Sequence, residues 1–550
     1  MDPSVLLTTT AAMMTFGGAA IALAPGAEVT LTLEDRVVQR ISGDLFGQFL
    51  ERPSWGGEFG PEAVVNDQGQ LPEAVERHLR DLRAPLVRFP AGTDADYINW
   101  QDMIDLPGRP GRPATKGHQG GLVTNRFGYP EYFGLARRMK WRTILVGNLR
   151  EALYRQRPLA EAAAHAAELL RYAKSRAPRG SITAFQVGNE GWFFWPPEPN
   201  QLAALNLADD DAAATWLREC LVAYADALHR VDPKVSLIAD GPRPGDGRIA
   251  EVWTKAVDHP EVRARYRYLA AHAYAPMGIW NSHRNGVALQ ANQLTQDEVW
   301  DAAVATLGRF DERGQALSDS TAYGDIQRLG YRAVVTEWNW NGWGFAKRFP
   351  QATFREGVPA TLSSAGFLHG MMRHPNVDLA TQSMMLGTTW GITAVRVNPK
   401  GRVAFGTQSE VTRLYAQYHG NELLASTLAG SPVVDKPVSL AGWWPPVARM
   451  ASVDALVTQD RRAIYVHVIH RAREGTMTLN LPLPTTVGGA GVRVHTLTGE
   501  FSLSTAGGGE LRRQTTTLTP AHRALKVVLP PASVSVIVIP RRSPRPPEMD

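Results

Sequence analysis

The sequence predicts an α/β protein in which a (β/α)8 TIM barrel is followed by a C-terminal β-sandwich. Eight short apolar runs alternate with longer helix-like stretches between residues 45 and 390, which is the pattern of parallel βα units. After about residue 400 the pattern changes to alternating strands, which is typical of a sandwich. The length of 550 residues also favours one large domain plus a smaller one over a single core.

The eight apolar runs are the predicted barrel strands, and eight is the number that closes such a barrel. They comprise residues 45–50, 86–89, 143–146, 182–187, 235–239, 268–271, 332–336 and 377–382. Helical patterns separate them, including residues 160–173, which are rich in Ala, Leu and Glu, and residues 212–229, whose apolar spacing is near 3.6. Glycine and proline cluster in residues 106–121, which predicts an exposed loop over the catalytic face.

The strand pattern of the C-terminal part predicts where the second domain lies. Alternating strands are expected at residues 463–470, 476–481, 525–529 and 533–539, and residues 28–33 also alternate. We therefore expect an N-terminal strand within residues 25–44 to join the sandwich. The predicted domains are a barrel over residues 45–395, a sandwich over residues 396–540 and a disordered tail over residues 541–550.

Composition argues against several classes of protein. The net charge is +5, but Lys and Arg are scattered among acids without a basic stripe, which argues against nucleic acid as a partner. Cys220 is the only cysteine, so the chain forms no intrachain disulfide and no thiolate metal cluster. The 14 histidines show no ligand spacing, so we predict neither a metal site nor a cofactor.

The first 24 residues leave the cellular location open between two interpretations. An apolar stretch ends in Ala22-Leu23-Ala24, which resembles the small-residue cleavage site of a secretory signal and predicts a secreted or periplasmic protein. The segment lacks a basic beginning, which leaves a disordered segment and a cytoplasmic protein as the alternative. An integral membrane span is not expected, because the stretch is short and interrupted by Gly17 and Gly18.

Two glutamates follow predicted barrel strands and are the candidate catalytic residues. Glu190 comes after the fourth apolar run and Glu337 after the seventh. Because strand ends of a barrel open onto one catalytic face, both carboxylates are expected to point into a shared pocket. Aromatic residues crowd them, and Trp192, Trp338 and Trp340 are the predicted platforms on which sugar rings stack.

A pair of carboxyl groups is what hydrolysis of a glycosidic bond requires. One carboxylic acid protonates the leaving oxygen, and the other acts as nucleophile or as base. An arginine such as Arg88 near a carboxylate keeps it ionised, and a phenol such as Tyr274 can hold its geometry. His272 lies two positions before Tyr274 and therefore faces the same side of its strand, so it is a further candidate site residue.

These motifs resemble those of clan A retaining glycoside hydrolases, and the finer resemblance is to family 51. It rests on the runs LFGQFLE at residues 45–51, LVRFPAG at 86–92 and VGNE at 187–190. The resemblance implies a barrel with a C-terminal sandwich, Glu190 as acid/base and Glu337 as nucleophile. It also implies that Asn189 donates to the sugar 2-hydroxyl, that Glu51 binds a sugar hydroxyl, and that Arg88 and Tyr274 support the nucleophile.

The predicted function is therefore retaining hydrolysis of a plant-type polysaccharide or oligosaccharide, with α-L-arabinofuranosidase as the leading activity. A retaining pair is expected to lie about 5 to 5.5 Å apart. The sequence departs from the family where Thr93 follows Pro90-Ala91-Gly92 and where Arg52 follows Glu51. These departures and the aromatic residues keep an endo-β-1,4-glucanase or xylanase open as an alternative. A non-catalytic carbohydrate-binding protein is the alternative of another class. Because members of family 51 often assemble, the resemblance also implies a possible homo-oligomer.

Overall fold

The structure is a computed structural model of the chain. It describes residues 27–52, 57–242, 247–275, 283–284, 287–288, 300, 304, 321–340, 357–388, 391–435, 438–439, 449–484, 487, 491–501 and 511–541. The predicted N-terminal segment, residues 1–24, and residues 542–550 of the predicted tail lie outside this part of the chain.

Eight parallel strands close a barrel and follow one another around the ring in chain order. A long strand, β1 (Glu28–Arg40), precedes the barrel. The barrel strands are β2 (Gly47–Glu51), β3 (Leu86–Ala91), β4 (Arg142–Gly147), β5 (Ile182–Val187), β6 (Ser236–Asp240), β7 (Tyr268–Ala275), β8 (Arg332–Trp340) and β9 (Val377–Gln382). The predicted (β/α)8 barrel is confirmed.

The interior of the barrel changes from apolar to polar along the strands. One cluster of buried side chains fills the lower part, with Leu86, Ile144, Ala184, Ile238, Tyr268, Ala270, Val334 and Leu379. Because side chains alternate along a strand, the residue two positions further on faces the same interior. At three strands that next inward residue is Arg88, Gln186 or Asp240, and all three are fully buried. The apolar layer thus forms the floor of a polar pocket at the carboxyl ends of the strands.

Helices surround the barrel and cover its apolar outer face. They are α1 (Glu73–Leu82), α2 (Tyr129–Met139), α3 (Arg150–Leu153), α4 (Leu159–Arg176), α5 (Pro199–Leu202), α6 (Asp210–Val231), α7 (Arg248–Val257), α8 (Pro260–Arg263), α9 (Thr321–Arg328), α10 (Val358–Arg373) and α11 (Thr407–Gln417). Short 3-10 turns lie at Gly43–Phe46, Pro61–Ala63, Thr93–Asp96, Trp100–Met103, Gly191–Phe193 and Ala203–Leu205. None of the helices in the described ranges is long and apolar enough to cross a membrane.

The strands after the barrel form a nine-stranded sheet that includes β1. The others are β10 (Glu422–Ala429), β11 (Val453–Gln459), β12 (Ala463–His470), β13 (Met477–Pro482), β14 (Val492–Thr498), β15 (Arg512–Leu518), β16 (Ala524–Leu529) and β17 (Ser533–Pro540). The order across the sheet is β15-β14-β17-β12-β11-β10-β1-β13-β16. Within it, β1 pairs antiparallel with β10 and parallel with β13.

Shorter strands complete the described secondary structure, at Thr115–Lys116, Leu122–Val123, His283–Arg284, Val287–Ala288, Leu386–Gly387, Val395–Val397, Val403–Phe405, Val433–Asp435, Val438–Ser439 and Arg449–Ala451. The first two of these pair with each other, so the predicted loop at residues 106–121 contributes a strand to a small hairpin.

Strands from both halves of the nine-stranded sheet bury side chains in one common core, as in a β-sandwich. Leu31 of β1, Leu479 of β13 and Ile537 of β17 all belong to it. The alternate residues of some strands face the barrel instead, as Leu456 and Tyr465 do. These strands are therefore apolar on both faces, and the predicted C-terminal sandwich is confirmed.

A buried polar cluster joins the sandwich to the barrel. Asp454 of β11 accepts hydrogen bonds from Arg373 of α10, at 2.6 and 3.1 Å, and lies 2.9 Å from His369 Nδ1. Despite burial, Arg373 and His369 hold the pKa of Asp454 well below its usual range. The opposite ring nitrogen, His369 Nε2, lies 2.9 Å from the hydroxyl of Tyr415.

The same interface contains histidines whose contribution to stability falls in weak acid. Burial lowers the pKa of His369 to about 4 and also lowers the pKa of His419, His467 and His470. Between pH 6.5 and 4 these imidazoles bind protons in the unfolded chain but not in the folded chain, so their contribution to stability falls as the pH falls. His369 alone accounts for about 3 kcal/mol of this loss, because each pKa unit corresponds to about 1.4 kcal/mol.

Urea unfolding of the unmodified protein and of His369→Gln at pH 6.5 and pH 4.5 measures this effect. The variant lacks one titrating group, so on going to pH 4.5 the unfolding free energy of the unmodified protein is expected to decrease relative to that of the variant. The same change in both proteins would show that burial of His369 does not contribute to acid sensitivity.

Candidate active site

The polar pocket contains Glu337, held by two donors on neighbouring strands. Arg88 of β3 donates from Nη1 to Glu337 Oε1 at 2.9 Å, and the hydroxyl of Tyr274 on β7 donates to Oε2 at 2.9 Å. The guanidinium is completely buried and the Glu337 side chain is 6% exposed, so this ion pair is shielded from water. Glu337 was expected just beyond a strand, but it lies inside β8, next to a register shift between Val335 and Glu337.

Glu190 faces Glu337 from the loop after β5. Its backbone is left-handed, with φ 50° and ψ 40°, a conformation uncommon for a residue other than glycine. His272 Nδ1 lies 2.9 Å from Glu190 Oε1, and His272 Nε2 lies 2.9 Å from Thr336 Oγ1. The imidazole of His272 is therefore fixed between strand β8 and the Glu190 carboxyl group.

The two glutamates lie in different electrostatic surroundings. Burial raises the pKa of Glu190, the negative charge of Glu337 raises it further, and His272 only partly opposes the shift. These surroundings make protonation of Glu190 easier than for a carboxyl group in water, while Glu337 is paired with Arg88. For His272, burial disfavours the charged form, but the carboxylates of Glu337 and Glu190 outweigh it and raise the pKa of the imidazole.

The two carboxyl groups are close enough to act on one bond. Glu190, His272 and Glu337 each offer one ligand atom, and these three atoms lie within 4.8 Å of one another. Two carboxylates and an imidazole are also a donor set that zinc accepts. Here both nitrogens of His272 already have protein partners, so a cation would have to replace the contact with Glu190 or the contact with Thr336.

Asn189 and Glu51 line the same pocket. Asn189 is fully buried; its Oδ1 accepts from Arg88 Nη2, while its Nδ2 has no partner among the described residues and remains an available donor. Glu51, at the end of β2, is 4% exposed. Its pKa is raised well above the usual value by burial, and then by the charges of Glu337 and Asp94.

Gly92 creates the space that the Glu51 carboxyl group occupies. A Cβ at this position would lie 1.9 Å from Glu51 Oε1, and the φ of 77° is itself one that favours glycine. The glycine of the LVRFPAG run is therefore needed for Glu51 to lie against the chain after β3.

The three predicted tryptophans lie in different places. Trp192 is next to the pocket, with its ring centroid 5.1 Å from that of His272 in an edge-on arrangement. Trp338 was predicted as a sugar platform, and this placement is wrong, because its ring is fully buried against Phe367 of helix α10. Trp340 also has no exposed surface. Its role as a platform stays a prediction, because the chain that follows it lies outside the described residues.

Four site residues were not predicted: Gln186, Asp240, Asp96 and Thr336. Gln186 accepts from Arg88 Nε at 2.7 Å and donates to Asp240 Oδ1 at 3.2 Å. Asp240 follows an apolar run just as Glu190 does, and Gln186 is a polar residue at an inward position of β5. The sequence therefore contains a signal for Gln186 and a signal for Asp240.

The fold and the facing carboxyl groups define the class as a (β/α)8 barrel with a pair of carboxyl groups in the pocket at the carboxyl ends of its strands. Solved structures with a similar fold include two family 51 enzymes. A GH51 α-L-arabinofuranosidase from Thermotoga petrophila matches with a TM-score of 0.63 at 16% identity, over 93% of this chain and 100% of that one. A family 51 α-L-arabinofuranosidase from Bifidobacterium longum matches with a TM-score of 0.67 at 14% identity, over 93% and 99%. The chain has a GH51-like fold.

Other comparisons add a sequence relationship and a second structural relative. α-L-Arabinofuranosidase C of Emericella nidulans is 25% identical over 222 residues, which is 38% of this chain and 40% of that protein. The match thus spans less than half the length of this relative. A bifunctional glucanase-xylanase protein from a metagenome library has a TM-score of 0.57 at 13% identity, over 94% of this chain and 99% of that one. No family model matches the chain.

Proposed function

We propose that this protein is a retaining glycoside hydrolase that acts by double displacement, and that its substrate is an α-L-arabinofuranoside of plant polysaccharides or oligosaccharides. One observation carries the proposal: two facing carboxyl groups lie in opposite electrostatic surroundings. Arg88 and Tyr274 hold Glu337, while burial and the charge of Glu337 raise the pKa of Glu190. Such a division of roles is what acid and nucleophile require.

In the first step Glu190 gives its proton to the glycosidic oxygen while Glu337 attacks the anomeric carbon. The bond to the leaving alcohol breaks, and a covalent glycosyl ester of Glu337 forms. The ester removes the negative charge of Glu337 and with it one cause of the raised pKa of Glu190. Glu190 then takes a proton from water, which attacks the same carbon and releases Glu337 as carboxylate.

The short separation supports retention over inversion. An inverting pair stands about 6.5 to 9.5 Å apart to admit a water molecule, whereas oxygens of Glu190 and Glu337 lie within 4.8 Å. The Nδ2 of Asn189, which has no hydrogen-bond partner within the described part of the chain, supports a role as donor to a sugar hydroxyl beside the anomeric centre.

The choice of sugar rests on similarity. The curated relatives and several structural neighbours are arabinofuranosidases, and this favours the arabinofuranoside. Endo cleavage of a β-linked glucan or xylan is the second candidate, because a glucanase-xylanase shares the fold. A non-catalytic carbohydrate-binding protein is the third.

Sugar release separates these candidates. The purified protein is incubated with an aryl α-L-arabinofuranoside, arabinoxylan, xylan and β-glucan, and the products are identified by chromatography. We expect monomeric arabinose from the first two substrates. Oligosaccharides from xylan or β-glucan would favour the endo-acting enzyme, and glycan binding without any release would favour the binding protein.

The stereochemical course tests the retaining mechanism independently of the sugar. Proton NMR of the early products is expected to show the α anomer of arabinose first, because two inversions at the anomeric carbon restore its configuration. The β anomer then grows in by mutarotation. Initial appearance of the β anomer would exclude a glycosyl ester of Glu337.

A further inference from the structure

The backbone on both sides of Glu190 is held by buried carboxylates that sequence reasoning did not identify. The peptide N–H of Asn189 donates to Asp96 Oδ2 at 2.7 Å, and the N–H of Gly191 donates to Asp240 Oδ2 at 2.8 Å. Glu190 itself lies between these two bonds in the left-handed region. A residue other than glycine in this region has to be fixed by its surroundings, and the hydrogen bonds from the two adjacent peptide groups to these carboxyl oxygens do so.

Asp96 joins three loops of the catalytic face. It lies in the turn after β3, and its Oδ1 accepts from the N–H groups of Leu149 and Arg150, at 2.7 and 3.2 Å, at the start of α3. Its other oxygen accepts from Asn189 after β5. Burial is the main cause that raises the pKa of Asp96, to about 7, and these backbone donors oppose it.

Asp240 connects the acid to the nucleophile. Its Oδ2 accepts from Gly191, and its Oδ1 accepts from Gln186, which in turn accepts from Arg88. Since Arg88 also donates to Glu337, one chain of hydrogen bonds runs from the nucleophile to the backbone beside Glu190.

Two glycines leave room for this arrangement. A Cβ on Gly191 would lie 2.6 Å from the ring of Trp253 and 3.3 Å from Asp240 Oδ2. A Cβ on Gly188, whose φ is 83°, would lie 3.0 Å from Leu149 and 3.7 Å from Asp96 Oδ2. Both ends of the loop that carries Glu190 are therefore packed against the residues that hold it.

We propose that Asp96 and Asp240 are positioning residues for Glu190, holding the peptide N–H groups before and after it so that its carboxyl group points at His272 and Glu337. This inference rests on the proposed function. It assigns a role in proton transfer to two carboxylates that do not touch the bond being broken. Displacement of Glu190 should affect those reactions in which the leaving oxygen needs its proton.

The test uses Asp96→Asn and Asp240→Asn in the full-length protein. Asparagine keeps the shape, but both oxygens of each aspartate accept from N–H groups, so the new amide places a donor against a donor. We expect kcat/KM to fall about 10- to 100-fold for phenyl α-L-arabinofuranoside, a poor leaving group. For the activated 4-nitrophenyl substrate we expect a fall of no more than about 3-fold.

The pH profile gives a second readout, which a purely structural role would not move. The charged or titratable groups that shift the pKa of Glu190 most are Glu337, His272 and Asp240. Removing the negative charge of Asp240 lowers the pKa of Glu190, so the alkaline limb of kcat/KM should move to lower pH in Asp240→Asn.

Asp44→Asn is the matched control, because Asp44 is a buried carboxylate paired with Arg142 at the opposite end of the barrel. Asp44→Asn should show the same ratio of kcat/KM between the phenyl and 4-nitrophenyl substrates as the unmodified protein. Its alkaline limb should also be unchanged, whatever its melting temperature. Equal losses on both substrates with an unmoved limb in the test variants would overturn the inference. Each variant removes one of the two holding contacts, so either suffices if the other does not fold. Complete inactivity of the unmodified protein would instead refute the proposed function.

Discussion

Replacing Glu337 by glutamine or alanine is expected to reduce turnover of every substrate on the order of 10⁴-fold or more, because no covalent ester can form. The two variants differ in their effect on the fold. Alanine leaves the buried guanidinium of Arg88 without its carboxylate, which costs about 3 to 5 kcal/mol of stability. Glutamine also removes the negative charge but keeps an oxygen that can accept from Arg88, so a smaller loss of stability is expected from it. Single-turnover assays together with thermal unfolding separate these effects.

Glu151→Gln provides the comparison for the glutamine variant. Glu151 is also a buried glutamate, paired with Arg157 and His165, but it lies outside the pocket. Its variant should retain activity close to that of the unmodified protein. More than about one per cent of the normal rate in Glu337→Gln would remove Glu337 as nucleophile, since loss of a nucleophile typically costs far more.

Replacing Glu190 by alanine is expected to have a large effect that depends on the substrate. Turnover of arabinoxylan should fall about 10²- to 10⁴-fold, because an alkoxide leaves poorly without a proton. Release of 4-nitrophenolate should fall much less in the glycosylation step, because this group departs without assistance. Burst kinetics with the nitrophenyl substrate measure that step directly, since the glycosyl ester accumulates when no base activates water.

Added azide distinguishes an acid/base from a residue that only maintains the pocket. Azide attacks the glycosyl ester without needing a general base, so it should restore turnover of the nitrophenyl substrate in Glu190→Ala and yield an arabinosyl azide of the α configuration. Equal losses on both substrates and no response to azide would argue against the role of Glu190 in proton transfer.

The sequence was sufficient for the barrel and for the two glutamates because both follow local rules. Apolar runs of strand length alternate with helical periods, and a residue at the end of a barrel strand faces the pocket wherever the strand lies in the ring. Glu190 and Glu337 could thus be paired without knowing any contact between them. The contacts of Arg88 and Tyr274 with Glu337 agree with the arrangement that family resemblance implied.

What could not be predicted depends on how distant segments meet. Asp96 is one acid among many in a loop, and only the folded chain shows that its carboxylate accepts from residues after two other strands. Trp338 was misplaced because the strand continues through Glu337, so its side chain points towards the helix layer. Arg52 follows Glu51 directly, yet its guanidinium binds Asn125 at 2.6 Å and Glu62 at 3.4 Å.

The position of β1 determines when the molecule can become complete during synthesis. This strand is among the first segments of the described chain to leave the ribosome, yet its two neighbours in the sheet, β10 and β13, are made about four hundred residues later. Contacts so distant in sequence form slowly, because a long loop has to close before they contribute. The barrel can therefore form while β1 still lacks both partners, and the sheet closes only when the C-terminal strands arrive. A fragment that begins at the barrel or at the sandwich would lack β1 and leave a gap between β10 and β13 in the sheet.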